Sequence, residues 1–375
     1  MTALRACRLA TASCCQIPDM LTYWRSLPTS LSMLLCWLAG TGMAVASPST
    51  AWCMAGKAAP SLLHRAEAAL TQPPTPLAQI HTEGTLPHQG IFDQSVKAKQ
   101  DWFRMRDLAL AWQGSGEQRY LDAVAHQLDA WTRVYQPSFN PIDETDLEAL
   151  IDAYAITANQ LPVATAMQTR QLLRQLAEGY VTRIRTARQP LGATFRNNWN
   201  SHRIKLIALS ALALQDAGLQ KAATELFHQH LERNINAQGE TLDYRERDAL
   251  HYVTYDLEPL VRAAIAARQW QQDWLHDKAA SGGSLQLALD WLRPYAEGRL
   301  QHQEFVHSQV RFDFIRREAG LPGFAGNWQA ATSRKLYALA SRLSPDYDNP
   351  LLTGPHLPDW ITQCWGSALN DTSSN

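Results

Sequence analysis

The 375-residue chain has no surplus of positive charge: 34 Lys and Arg face 35 Asp and Glu, a formal net charge of −1. A nucleic-acid binder carries a basic surplus or stripe, and none is present. A polyanionic ligand is not excluded, because a few cations focused in a cleft suffice for it. Cysteine is scarce. Of six, Cys7, Cys14, Cys15 and Cys36 lie near the start, leaving Cys53 and Cys364 toward the two ends of the remainder. Neither CxxC nor HExxH occurs, so no zinc-site spacing exists, and neither a metal nor a cofactor is expected. Strand-like alternation, a domain linker and a fixed-period repeat are all missing, which argues against β architecture, separate domains and a regular solenoid. Charged residues are only 18%, too few for a disordered chain.

What is present begins with an apolar run. Residues 30–46 read SLSMLLCWLAGTGMAVA and end in Ala44-Val45-Ala46, the small-x-small pattern of a secretory cleavage site, with Arg5, Arg8 and Arg25 upstream. The run is short for a membrane span. Residues 1–46 are therefore expected to be a signal peptide and 47–375 a single domain, exported to the periplasm and not held in the membrane. Its removal leaves 31 basic and 34 acidic residues, a formal charge of −3. In an oxidising compartment Cys53 and Cys364 either pair and clamp the termini or remain two separate thiols.

Beyond about Gly90 the pattern is helical almost to the end. Apolar residues recur at i, i+3 and i+4 over Ser95–Trp112, Tyr120–Val134, Glu144–Ala158, Val163–Thr186, Asn198–Ala217, Gln220–Asn234, Arg247–Ala267, Leu285–Glu297 and Trp328–Leu343, with a shorter stretch at Ser61–Leu70. Gly, Pro and Ser joints separate them. Consecutive amphipathic helices with short turns predict an all-α fold, an (α/α) toroid around a central cleft. Thirteen Trp residues suit either a helical core or a sugar-stacking cleft.

Four segments concentrate polar chemistry. Arg196-Asn197-Asn198-Trp199-Asn200-Ser201-His202-Arg203 opens a strongly apolar helix, and Asn198 and His202 share a face at i, i+4. Amides at a helix start favour an anionic group, although a cap followed by solvated residues would also read this way. Tyr244-Arg245-Glu246-Arg247-Asp248-Ala249-Leu250-His251-Tyr252 continues to Tyr255; if the run is one helix, Arg245 and Tyr252 lie on one face. The competing reading is a set of ion pairs with buried tyrosines. Ile80–Gly90 contains His81 and His88 in a Gly-containing loop, a flap or an ordinary surface loop, and Lys97 and Lys99 follow. Phe139-Asn140-Pro141-Ile142-Asp143-Glu144-Thr145 reads as a turn and helix cap.

These residue types fit β-elimination of a uronate. The C5 carboxylate must be neutralised, a base must take the C5 proton, and an acid must protonate the departing O4. Arg, Asn and His can do the first without metal; Tyr or His can do the others. Hydrolysis would need a facing carboxyl pair. Asp143, Glu144, Asp256 and Glu258 are candidates, each with a ready structural role. A non-catalytic protein that binds an exopolysaccharide is the third reading.

The runs NNWNSHR and YRERDALHYVTYDLEPL, with HTEGTLPHQG and FNPIDETDLEALIDAY, resemble the alginate lyase family over roughly residues 80–345. The resemblance implies an (α/α) toroid with a deep cleft and metal-independent β-elimination of a polyuronate to 4,5-unsaturated products. It implies Asn198, His202, Arg245 and Tyr252 as catalytic residues, with Tyr252 as base, acid or both. Asn197, Trp199, Asn200, Arg203, Arg247, His251, Tyr255, His81, His88 and Lys97 are implied around the substrate. In one respect the sequence departs from the family pattern: Trp199 stands where a His follows the Asn pair, and His202 is the nearest replacement. Any uronate would present its carboxylate to this cluster.

Overall fold

The stretch Ile204–Leu214 has no polar face, and such a helix is stable only where it is surrounded. That is where the chain places it. The structure, a computed structural model, describes residues 52, 53 and 56–364; the expected signal peptide lies outside them. The described residues fall in one compact unit. Helix α1 spans Pro60–Leu70, α2 Phe92–Ser115, α3 Gln118–Val134, α4 Glu148–Thr157, α5 Val163–Arg185, α6 Asn198–Leu214 and α7 Ala217–Asn234. A short α8, Leu242–Arg247, precedes α9, Leu250–Arg268, then α10, Leu285–Ala296, α11, Arg311–Glu318, and α12, Arg334–Ala340. Among the described residues there are no strands, only isolated bridges such as Ile235 with Thr241.

Helix α6 packs on α4, α5, α7 and α9, α9 also packs on α8, α10 and α12, and α2 meets α1, α3 and α4. Ile204, Leu206, Ile207, Leu209, Val253, Leu257 and Leu260 are fully buried at this centre. Each such side chain contributes about 1.5–3 kcal/mol by leaving water, so Leu206→Ala would cost about 2–5 kcal/mol. Most of the Trp supply goes to packing: Trp102, Trp131 and Trp274 are fully buried.

The inner helices are also tied by a buried ion network. Glu148 of α4 meets Lys205 of α6 at 3.1 Å and Lys335 of α12 at 3.6 Å. Asp152, one turn on, meets Arg262 of α9 at 2.5 Å, Arg106 of α2 at 3.4 Å and the Trp52 Nε1 at 2.8 Å. Burial alone would raise the Glu148 carboxyl; the surrounding Lys205, Lys335 and Arg262 charges hold it well below the carboxylate range. Cys53 and Cys364 form a disulfide across 311 positions of sequence, which places Trp52 on this network.

Two helix expectations need correction. The predicted helix starting at Arg247 is broken: α8 ends there, Asp248 takes a left-handed conformation (φ 50°), and α9 starts at Leu250. The expected Trp328–Leu343 helix is regular only over Arg334–Ala340, preceded by a 3-10 turn, and α11 was not foreseen.

Candidate active site

The start of α6 is fixed by side chains. Asn197 caps it by accepting from the Trp199 N–H at 3.2 Å, and Asn198 donates from N and Nδ2 to the two oxygens of Asp243 on α8, at 2.7 and 2.5 Å. Asn197, Asn198 and Trp199 then line a cleft of about 760 Å³. The α8–α9 junction adds Arg247, His251, Tyr252 and Tyr255 to the lining, and the α11 region adds Phe312 and Arg316. Thr82–Thr85, Thr194 and Lys99, whose Nζ meets Asp146 at 3.2 Å, also line the cleft.

Tyr252 sits at the centre of the charge. Its Oη accepts from Arg316 Nη1 at 2.5 Å, and the Arg247 guanidinium lies 3.8 Å from its ring centre. Burial raises the phenol above its ordinary value, while the charges of Arg247 and Arg316 pull it down. Arg247 is held by Asp313 at 2.5 Å and approaches Asp243 at 3.5 Å. His251 is pushed down to about 4 by burial and by Arg316 and Arg247, so it is neutral at working pH. Asp243 is pushed up to about 6 by burial, against the pull of Arg247 and the Asn198 bonds.

Seven of the residues expected at the site lie outside this cleft in the structure. Arg245 is exposed and turned toward the carbonyls of Glu240 and Asn234, because the break at Asp248 removes the shared face with Tyr252. His202 is buried behind the wall: its Nδ1 pairs with Thr145 Oγ1 at 2.7 Å and its ring lies 4.3 Å from that of Tyr255. Burial and Lys205 drive its pKa well below the histidine range, so it carries no positive charge to a substrate. Asn200 is buried and does not reach the cleft. Arg203 packs over Phe195 and donates to the Thr194 carbonyl, supporting the turn that brings Thr194 to the rim. His81 and His88 turn to Asp143 and Asp93, at 3.0 and 2.7 Å, and Lys97 is exposed. Lys99, one half-turn further along α2, lines the cleft instead.

The four carboxylates weighed for hydrolysis are occupied. Asp143 accepts from the Thr82 and Glu83 N–H groups at 2.6 and 2.8 Å and so ties the 82–85 loop to the rim. Glu144 is buried among Tyr135, Tyr180 and the Ser138 N–H, Asp256 is buried with Ser201 and Asn234, and Glu258 pairs with Lys335. None of them lines the cleft.

The profile of the family described as "Alginate lyase" matches residues 52–302, two thirds of the chain. The chain belongs to the alginate lyase family. The lyase is similar in fold to an alginate lyase from Bacteroides ovatus, with 16% identity, a TM-score of 0.57, and coverage of 81% of this chain and 92% of that one. A variant of alginate lyase A1-III complexed with a tetrasaccharide matches at 16% identity and a TM-score of 0.51, covering 74% of this chain and 89% of that one. Alginate lyase A1-III from Sphingomonas species A1 matches at 14% identity and a TM-score of 0.50, covering 67% and 79%. No curated protein matches the lyase. Its fold is the (α/α) toroid, and as a family member it is a polysaccharide lyase acting on an alginate-like polyuronate. Membership decides against the hydrolase and the silent binding protein. Arg316, Lys99 and Asp243 are among the charged residues in or behind the cleft that sequence reading missed. Arg316 stands in VRFDFIRRE, a stretch whose amphipathic spacing was the available signal.

Proposed function

We propose that Tyr252 is the proton-transfer residue of this lyase and that Asn198, Arg247 and Arg316 neutralise the substrate carboxylate, without a metal. The supporting observation is the Arg316–Tyr252 contact of 2.5 Å in the cleft that Asn198 and Arg247 also line. With the uronate carboxylate held by these donors, the C5 proton becomes acidic. The Tyr252 oxygen, whose negative form two guanidinium groups stabilise against the opposing effect of burial, takes that proton. The C5–H electron pair forms the C4=C5 double bond as C4–O4 breaks, and O4 leaves with a proton, returned from the Tyr252 hydroxyl. Trp199 and Phe312 offer ring faces for neighbouring sugars, and Lys99 a charge for a second carboxylate. His202 supports Tyr255 from behind and Arg203 the 193–195 turn. His251 serves as a neutral hydrogen-bonding side chain. Asn197 acts through its cap, and Arg245, His81, His88 and Lys97 have no part in the chemistry.

Export to the periplasm is part of the same reading. It rests on the apolar run ending Ala44-Val45-Ala46 and on the Cys53–Cys364 disulfide, which an oxidising compartment maintains. No described helix is long and apolar enough to cross a membrane. The test is turnover of polymannuronate, polyguluronate and polyglucuronate, followed by the ultraviolet absorbance of the unsaturated product. Asn198→Ala and Arg247→Met should each lower the rate on whichever polymer is cleaved. Near-parent rates in both variants would remove the proposed carboxylate site.

A further inference from the structure

Asp243 touches no part of the cleft surface, yet two groups of the proposed site converge on it. It is fully buried on α8, and its oxygens take both the N–H and the Nδ2 of Asn198, at 2.7 and 2.5 Å. Arg247 Nε lies 3.5 Å from Oδ1, the oxygen that also takes the Asn198 Nδ2. Arg247 continues to Asp313, which Ser308 Oγ secures at 2.7 Å. A strip of alternating charge and amide thus joins α6, α8 and α11, and Asp243 is its only link to α6 in that strip.

Mere support of α8 does not call for a carboxylate here. A buried charge is costly, and the Asn198 N–H needs only an acceptor, which a neutral side chain could also supply. What a carboxylate adds is directional: it accepts only. Facing it, the Asn198 amide must present nitrogen, not oxygen, because the reverse would set oxygen against oxygen. One Nδ2 hydrogen is then held by Asp243, and the second stays available on a residue that lines the cleft. The same negative charge draws Arg247 to its place over the Tyr252 ring. An amide at position 243 would offer either face to Asn198 and no charge to Arg247.

We propose that Asp243 is a positioning residue for the elimination, fixing the Asn198 amide in its donor orientation and the Arg247 guanidinium beside Tyr252. This rests on the roles given above to Asn198 and Arg247. The test compares Asp243→Asn, Thr241→Ala and the pair Asn198→Ala with and without Asp243→Asn. Thr241 Oγ1 caps α8 by accepting from the Tyr244 N–H at 3.3 Å and does not line the cleft. Asp243→Asn should lower kcat about ten- to a hundredfold, the scale on which small misplacements act, with KM changed less than about threefold. Thr241→Ala should lower Tm while keeping kcat within about twofold of the parent, as expected of a lost cap. In the Asn198→Ala background Asp243→Asn should cost clearly less than it does alone, since part of its effect passes through Asn198. A kcat within about threefold of the parent for Asp243→Asn, or full additivity with Asn198→Ala, overturns the proposal. So does a kcat loss in Thr241→Ala equal to that in Asp243→Asn, which would reduce Asp243 to a structural support. If Asp243→Asn does not fold, Asp243→Ser is read by the same criteria. A parent protein that makes no unsaturated product would instead remove the underlying reading of the site.

Discussion

Replacing Arg316 by Met separates the charge next to Tyr252 from the packing around it. Arg316 donates to the Tyr252 oxygen at 2.5 Å and lies over the rings of Phe312 and Phe324, at 4.4 and 5.1 Å from their centres. Met keeps much of the apolar contact and deletes the donor. A hydrogen bond to a charged group contributes about 1.5–3 kcal/mol, and here it favours the phenolate. Its loss should slow turnover near neutral pH by about 10- to 150-fold. The sign of the pH effect follows. Burial raises the Tyr252 pKa and Arg316 lowers it, so removing Arg316 raises it further. The rising limb of the pH–rate profile should then move to higher pH by about one to two units, the same free energy expressed as a pKa. The assay is product absorbance under saturating polyuronate from neutral to alkaline pH. A variant slowed equally at every pH, with no displaced limb, would refute the assignment of Arg316 to the Tyr252 proton.

The other expectations concern the frame and the cleft rim. Cys364→Ser opens a closure of 311 positions, for which chain entropy sets a ceiling of about 5–6 kcal/mol; a fall in Tm of about 5–15 °C in non-reducing buffer is expected, and no change would show that the disulfide does not bear on stability. Arg262→Met leaves Asp152 buried with one partner fewer and should cost about 3–5 kcal/mol in urea unfolding; a loss under about 1 kcal/mol would count against the network as a stabilising tie. Lys99→Met should raise KM for a polyuronate about tenfold while Lys97→Met leaves it unchanged, a difference of about 1.4 kcal/mol in binding; equal effects would refute the placement of Lys99 in the cleft. Arg245→Ala should stay within about twofold of parental kcat and KM, as surface substitutions do.

Helical periodicity made most of the architecture legible. The apolar stripes at Tyr120–Val134, Val163–Thr186 and Gln220–Asn234 correspond to α3, α5 and α7 within a few residues. Local patterns could not show the break at Asp248. There Glu304 accepts from the Leu250 and His251 N–H groups and Asp248 accepts from the His307 N–H, so a segment some 55 residues further on caps the new helix. That break is why Arg247, not Arg245, reaches Tyr252. His202 was misplaced for a related reason. Its spacing from Asn198 is correct for one helix face, but by the second turn α6 has entered the core, where the Thr145 hydroxyl takes its Nδ1. Asn198, Tyr252, Tyr255, His251, Arg247, Asn197 and Trp199 do meet at one cleft, since they lie at the start of α6, at the end of α8 or on the first turns of α9. The Cys53–Cys364 pairing depended on tertiary proximity, which two isolated cysteines do not reveal.

The central claim is that Tyr252 moves the proton in a β-elimination. It is tested most directly by following unsaturated-product absorbance for the parent enzyme and for Tyr252→Phe, which removes one oxygen from a buried side chain. The parent should accumulate product on a polyuronate, and the variant, folded and still binding the polymer, should be slower by about 100- to 10,000-fold. A Tyr252→Phe enzyme that forms the product at a rate near the parent's would contradict the account.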